Sequence, residues 1–182
     1  MILPMYILGQ PLLRKETAEI PPDYPGLQEL IQNMYETMQK ADGVGLAAPQ
    51  IGLSIRLFVI DLNVLSEDMP QYKGYLHAFI NPLILEESEE TELMEEGCLS
   101  VPGIHENVRR AKSAHVTYLD EHLQPHDEWI DGYAARVFQH EYDHLEGKLF
   151  IDHISGLRKQ LIKKKLIAMS KGKVSCTYKI KA

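Results

Sequence analysis

Apolar residues recur at helical spacing in three stretches of this chain and alternate with polar ones in several others. Leu27, Leu30, Ile31, Met34 and Met38 mark one face of a helix predicted over residues 23–42, ended by Gly43. A loop of small residues, Gly43–Gly52, follows it. Ser54–Leu62 and Tyr75–Asn81 are rich in β-branched and aromatic residues and are predicted as strands. Asp68, Pro70 and Gly74 mark the loop between them. Seven of the eleven residues from Glu86 to Glu96 are glutamate, yet Leu85, Leu93 and Met94 predict a strand hairpin with a charged turn. Ala111–Asp120 and the short Glu128–Ile130 are predicted as further strands. Asp131 is an N-cap candidate for a helix of about four turns that runs to Gly147. Leu157, Leu161, Ile162 and Leu166 predict another helix over Ser155–Ser170, and Val174–Ile180 alternates like a final strand. The expected fold class is α+β: antiparallel β-sheets surround one central helix, with an N-terminal helix and a C-terminal helix followed by a short strand. Residues 1–182 are expected to form a single catalytic domain.

Composition narrows the class without naming an activity. A hydrophobic fraction of 45% and a charged fraction of 25% are those of an ordinary globular protein. No apolar run approaches the ~20 residues of a membrane-spanning helix, so no membrane partner is expected. The segment Met1–Pro11 is apolar but lacks a basic leader, so an extended segment is expected there instead of a secretory signal. Two cysteines, Cys98 and Cys176, are too few for a disulfide framework, and a reducing cytosol is the expected setting. The net charge of −7 is unevenly spread. Nine Lys or Arg and no acidic residue lie beyond His153, which leaves −16 on the rest. Such a tail suits an anionic partner such as RNA, or simply a solvated helix face.

Chemistry concentrates in Gln139-His140-Glu141-Tyr142-Asp143-His144-Leu145-Glu146-Gly147. At ~100° per residue, Tyr133, Val137, His140 and His144 fall within a ~60° sector, with Glu141 some ~60–80° to one side. Two imidazoles on an apolar stripe each need a partner, and one metal ion serves both better than two separate backbone carbonyls. A hydrolytic site takes three protein ligands and leaves one position for water. Downstream, a zinc protease pattern is only half present: Gly147 fits, but Phe150 stands where a histidine belongs. No glutamate follows Glu146, and Asp152 and His153 have no familiar spacing. Upstream, Cys98 in Glu96-Gly97-Cys98-Leu99-Ser100 offers a thiolate and is the best candidate for third ligand. Cys176 is a distant second.

Three separated motifs, Gly43-Val44-Gly45-Leu46-Ala47-Ala48-Pro49-Gln50, Glu96–Ser100 and Gln139–Gly147, resemble in order and spacing the three signatures of bacterial peptide deformylases. The likeness extends to about residue 165. It implies a metal-dependent hydrolase that removes the formyl group from the N-terminal methionine of nascent chains in the cytoplasm. By motif, Cys98, His140 and His144 would ligate one divalent metal ion, Fe(II) in most of the family, with Zn, Ni or Co also accepted. Nothing in the sequence itself selects iron over zinc, because a Cys-His-His set suits both. Glu141 would be the general acid/base, with the Gln50 side-chain amide and the Leu99 backbone N–H as oxyanion donors.

A peptide is expected to bind as an added strand against Gly43–Gly45 and Gly97, which recognises main chain and tolerates varied sequence. Helix geometry nominates Tyr133 and Val137 for the methionine pocket, and the resemblance adds Val44 and Met94 as walls. Arg110 and Asp143 are expected to support the site, together with Glu96. His105 falls where some relatives carry an arginine near the peptide. The basic helix with Arg158, Lys159 and Lys163–Lys165 is a candidate contact with ribosomal RNA, and DNA is not expected as a partner. An endopeptidase on the same helix would be indifferent to Cys98, and a structural metal site would need a fourth ligand.

Overall fold

A computed structural model describes residues 1–182. In chain order its regular elements are β1 (Met5–Tyr6), α1 (Leu27–Lys40), β2 (Gly45–Ala47), β3 (Leu57–Asp61), β4 (Leu76–Glu87), β5 (Thr91–Cys98) and β6 (Val101–Ala111). There follow β7 (Ser113–Leu119), β8 (Pro125–Asp131), α2 (Gly132–Leu145), α3 (Gly156–Ser170) and β9 (Ile180–Lys181). An antiparallel sheet of order β2-β3-β4-β7-β8 forms the body, β5 and β6 make a separate hairpin, and β1 pairs with β9 in parallel. The α+β class expected from the sequence is what the fold shows.

The sheet is buried on both faces, which explains the unbroken apolar run of β3. Leu57 and Val59 pack with Ile31, Met34 and Met38 of α1, while Phe58 and Ile60 pack with Val137 and Phe138 of α2. The Phe58 ring stacks on Phe79 at 5.1 Å and meets Phe138 edge-on at 5.0 Å. The central helix is thereby pinned by a contact between rigid aromatic rings, worth about 0.5–1.5 kcal/mol per pair beyond burial. A third cluster joins Val101, Ile104 and Val108 of β6 to Phe150 and to Ile162 and Met169 of α3.

Several predicted elements shift. The first helix begins at Leu27 instead of residue 23, behind Pro25 and a Gly26 with φ +71°. The loop between β3 and β4 contains two short 3-10 turns, Asn63–Leu65 and Pro70–Tyr72. Strands flank the charged turn at Ser88–Glu90 as expected, but they are not a hairpin. β4 stays in the body sheet beside β7, whereas β5 leaves it to pair with β6. Strand β6 itself was not predicted. The α2 helix has Asp131 at its N-terminal boundary without a side-chain capping bond, and Gly147 follows its end at φ +73°.

In α3, Ser155 caps the N-terminus by accepting from the Arg158 N–H. The apolar stripe predicted there is rotated: Leu157 and Leu161 are 71% and 63% exposed. At ~100° per residue, Leu166 and Met169 share a side with the buried Ile162, while Leu157 and Leu161 point well away from it. The predicted final strand Val174–Ile180 reduces to Ile180–Lys181. No helix is long and apolar enough to cross a membrane.

Candidate metal centre and cleft

The pitch of α2 puts His140 and His144 on the side that looks toward the end of β5, where Cys98 lies. Donor atoms of Cys98, His140 and His144 all lie within 4.8 Å of one another. The Cys98 Sγ is 3.3 Å from the His144 Nε2. The expected trio is therefore brought together, while Cys176 stays outside it.

His140 is oriented from behind. Its Nδ1 bonds the Glu96 Oε1 at 2.8 Å, which leaves Nε2 facing the cluster. Glu96 in turn accepts from the Arg110 Nε at 2.6 Å and Nη2 at 3.0 Å, and from the Arg136 Nη1 at 2.6 Å. Arg110 also donates from Nη1 to the Asp143 Oδ2 at 2.9 Å, and His153 meets that same oxygen at 2.8 Å. Glu96, Arg110 and Arg136 are all buried. Burial opposes the Glu96 carboxylate, but the bonds from His140 and Arg110 outweigh it and hold the group well below the usual range. The expected Arg110–Asp143–Glu96 support is present. Arg136, one turn before His140, was missed, although its spacing was a readable signal.

The histidines differ in their surroundings. Burial, reinforced by the neighbouring His140, pushes His144 down to about 3, so its imidazole is neutral as a ligand must be. Burial also disfavours charge on His140, but Cys98 and Glu96 beside it raise its proton affinity above the ordinary value. Burial raises Glu141 to about 7, against the opposing pull of His140. Its Oε1 is 3.8 Å from the His140 Nε2. The buried side-chain atoms without any partner are the Glu141 Oε2 and the His144 Nδ1. Such orphans are costly in a protein interior, and both belong to this cluster. A soft thiolate, two imidazoles and an unpaired carboxylate oxygen fit a single divalent cation with its water.

Gln50 sits in a 3-10 turn, Ala48–Ile51, just after β2, and is only 1% exposed. Its Oε1 accepts from the Ala47 N–H at 2.9 Å. Its Nε2 donates to the Ser100 Oγ at 3.1 Å and lies 3.5 Å from the Cys98 Sγ. The amide is thus aimed at the cluster by fixed partners.

A cavity of ≈ 480 Å³ opens onto these groups. Val44, Gly45, Gly97, Leu99, Tyr133 and Val137 line it, as does His105. Met94 does not. It stands four residues before Cys98 on an extended strand, about 13 Å away along β5, where it pairs with Val108. A Cβ on Gly45 would come within 2.9 Å of the Glu141 carboxyl, so only glycine lets β2 lie this close to that group. Both β2 and β5 have an unpaired edge. The cavity is also lined by Ser175, Cys176, Thr177 and Tyr178, which no local pattern in the sequence had connected with it.

The family model described as Polypeptide deformylase matches residues 2–160. The chain is 50% identical to the peptide deformylase of Flavobacterium johnsoniae over 188 residues, covering 100% of this chain and 96% of that protein. It is 47% identical to that of Christiangramia forsetii, again over 100% of this chain and 96% of the other. Among solved structures, peptide deformylase from Thermus thermophilus superposes with a TM-score of 0.83 at 38% identity, covering 94% of this chain and 99% of that one.

Proposed function

This chain belongs to the polypeptide deformylase family, and we propose how its own residues carry out that family's reaction. The reaction is the metal-dependent removal of the N-terminal formyl group from nascent peptides. Cys98, His140 and His144 would hold one cation, Fe(II) as the native ion, with Zn, Ni or Co able to replace it. When bound, a divalent ion lowers the pKa of water and polarises the formyl carbonyl.

Glu141 accepts the proton of the attacking water as the new C–O bond forms, and then delivers it to the departing amine as the C–N bond breaks. Formate and a free N-terminus result. The Gln50 Nε2 and the Leu99 N–H donate to the oxyanion. The observation that carries this reading is the position of Glu141: a buried carboxyl beside the Cys98–His140–His144 cluster, with Oε1 3.8 Å from the His140 Nε2 and Oε2 unpaired. A carboxyl so placed can take a proton from water at the cluster and return it to the amine.

The peptide main chain lies along the free edges of β2 at Gly45 and β5 at Gly97. The methionine side chain enters between Val44, Tyr133 and Val137. Residues 1–182 act as one catalytic domain in the cytoplasm, where formylated chains emerge. The lysines of α3 reach toward the ribosome, although Arg158 is already paired with Glu106 at 2.8 Å.

Formate release from formyl-Met-Ala-Ser by wild type, Cys98→Ala and Glu141→Ala tests the scheme. Activity is expected in wild type alone, with metal retained in Glu141→Ala. Undiminished release by Glu141→Ala would sink the mechanism. Metal analysis of protein purified without oxygen identifies the native ion, because a thiolate-ligated Fe(II) site is vulnerable to oxidation.

A further inference from the structure

Leu99 and Ser100 form the turn that links β5 to β6, with Cys98 paired to Val101 at its foot. The polar groups of this turn are held from outside the hairpin. The Leu99 carbonyl accepts from the Tyr178 hydroxyl at 2.7 Å. The Ser100 carbonyl accepts from the Leu8 N–H at 2.9 Å, and the Ser100 hydroxyl donates to the Tyr6 carbonyl at 2.6 Å.

The two segments that supply these contacts are joined to each other. The Met5 N–H donates to the Lys179 carbonyl at 2.9 Å, and the Ile7 N–H to the Lys181 carbonyl at 3.1 Å. Strands β1 and β9 therefore form a bracket around the turn. Between α3 and β9 the chain has no regular structure, yet Ser175–Tyr178 lines the cavity directly. The matched family region ends at residue 160, while the relatives from Flavobacterium johnsoniae and Christiangramia forsetii align over this segment as well.

We propose that Ser175–Tyr178 is a wall of the substrate cleft and that Tyr178 is a positioning residue for the reaction. Its hydroxyl fixes the Leu99 carbonyl. That restrains the short turn on which the Leu99 N–H must meet the oxyanion and from which Cys98 reaches the cation. The inference rests on the deformylase reading of the same cleft, and the ligand is the formylated peptide.

The test uses the full metal-loaded chain, with formate release measured on formyl-Met amide and on formyl-Met-Ala-Ser. No release by wild type would sink the underlying reading. With wild type active, Tyr178→Phe is expected to lower kcat about fivefold on both substrates, the effect of one neutral hydrogen bond. Its KM and metal content should stay at wild-type values, and its melting temperature should fall by no more than the few degrees one neutral hydrogen bond supplies, staying well above the assay temperature. Thr177→Trp, which narrows the same wall in the full chain, is expected to raise KM for the tripeptide relative to formyl-Met amide. Lys179→Ala, exposed on the same segment, is expected to retain wild-type kcat. An unchanged kcat in Tyr178→Phe, or a loss accounted for by lost metal or by unfolding at the assay temperature, would overturn the proposal.

Discussion

The two walls of the cleft are held in place by different physics. On the helix wall, His140 is aimed by Glu96, which is clamped by Arg110 and Arg136 inside the protein. On the strand wall, Cys98 and Leu99 sit on a hairpin turn restrained by neutral bonds from Gln50, Leu8 and Tyr178, with Ser100 tied to Tyr6. Buried charges carry a large desolvation cost, so the helix wall is stable only while every member of its network is present. Neutral hydrogen bonds contribute about 1 kcal/mol each, so the strand wall can lose one and adjust. A network that fails as a unit thus faces a turn whose bonds can be lost one at a time, each at a modest cost.

Glu141 belongs to the helix wall but takes no part in the ion pairs of Glu96 with Arg110 and Arg136. Glu141→Ala is expected to reduce kcat about 10³-fold while leaving the ion-pair network and the metal in place, as read by formate release and metal analysis. Because burial raises Glu141 to about 7, the folded metal-free chain favours its protonated form. That contribution to stability is complete below the ordinary glutamate value and is lost as pH rises through about 7. Glu141→Gln should remove this slope in the melting temperature of metal-free protein.

On the strand wall, Gln50→Ala is expected to cost about 10²-fold in kcat, because an oxyanion donor acts only in the transition state. A loss confined to KM would assign Gln50 to substrate binding instead.

Glu96→Gln sharpens the contrast. It leaves two buried guanidinium groups short of charge and frees the His140 ring, so metal affinity should fall about 10- to 100-fold, measured by competition with a chelator. Removing the partner of buried charges costs about 3–5 kcal/mol, visible in denaturant unfolding. Glu96 is held below its ordinary value in the folded chain, so it stabilises the fold above the unfolded-state value near ~4.3. That stability disappears as pH falls toward the depressed folded value, and Glu96→Gln should flatten this part of the acid limb. The smallest effect belongs to Ser100→Ala, which removes bonds to Gln50 and Tyr6. About 1 kcal/mol of stability and a few-fold loss of kcat are expected. A loss as large as that of Glu96→Gln would erase the distinction between the walls.

Much of the helix wall was legible because its information is local. Tyr133, Val137, His140 and His144 fall on one side of any regular helix, whatever surrounds it. The strand wall was legible only in part. Cys98 drew attention as a thiol in a glycine-flanked strand, but β6 escaped detection for a physical reason. Its buried positions alternate as a strand's should, yet two of them are Glu106 and Arg110. Each is made tolerable by a distant partner, Arg158 for the first and Glu96 with Asp143 for the second. Charges therefore occupy positions where a period of two should show apolar residues. The stripe on α3 was misjudged for the converse reason: its leucines have helical spacing, but only the side through Ile162 meets a partner.

Local geometry follows from the order of residues: helical pitch sets the spacing of the histidines and the offset of Glu141. Tertiary structure alone decided which distant segments completed the site. It joined Cys98 to a helix 46 residues away and brought Tyr178 to a carbonyl 79 residues earlier. It also turned β5 away from β4, so that a glutamate-rich stretch delivers Glu96 behind His140. Periodicity reports only which face of an element is apolar. Which surfaces meet depends on burial and charge pairing summed over the whole fold, and no window of neighbouring residues contains that sum.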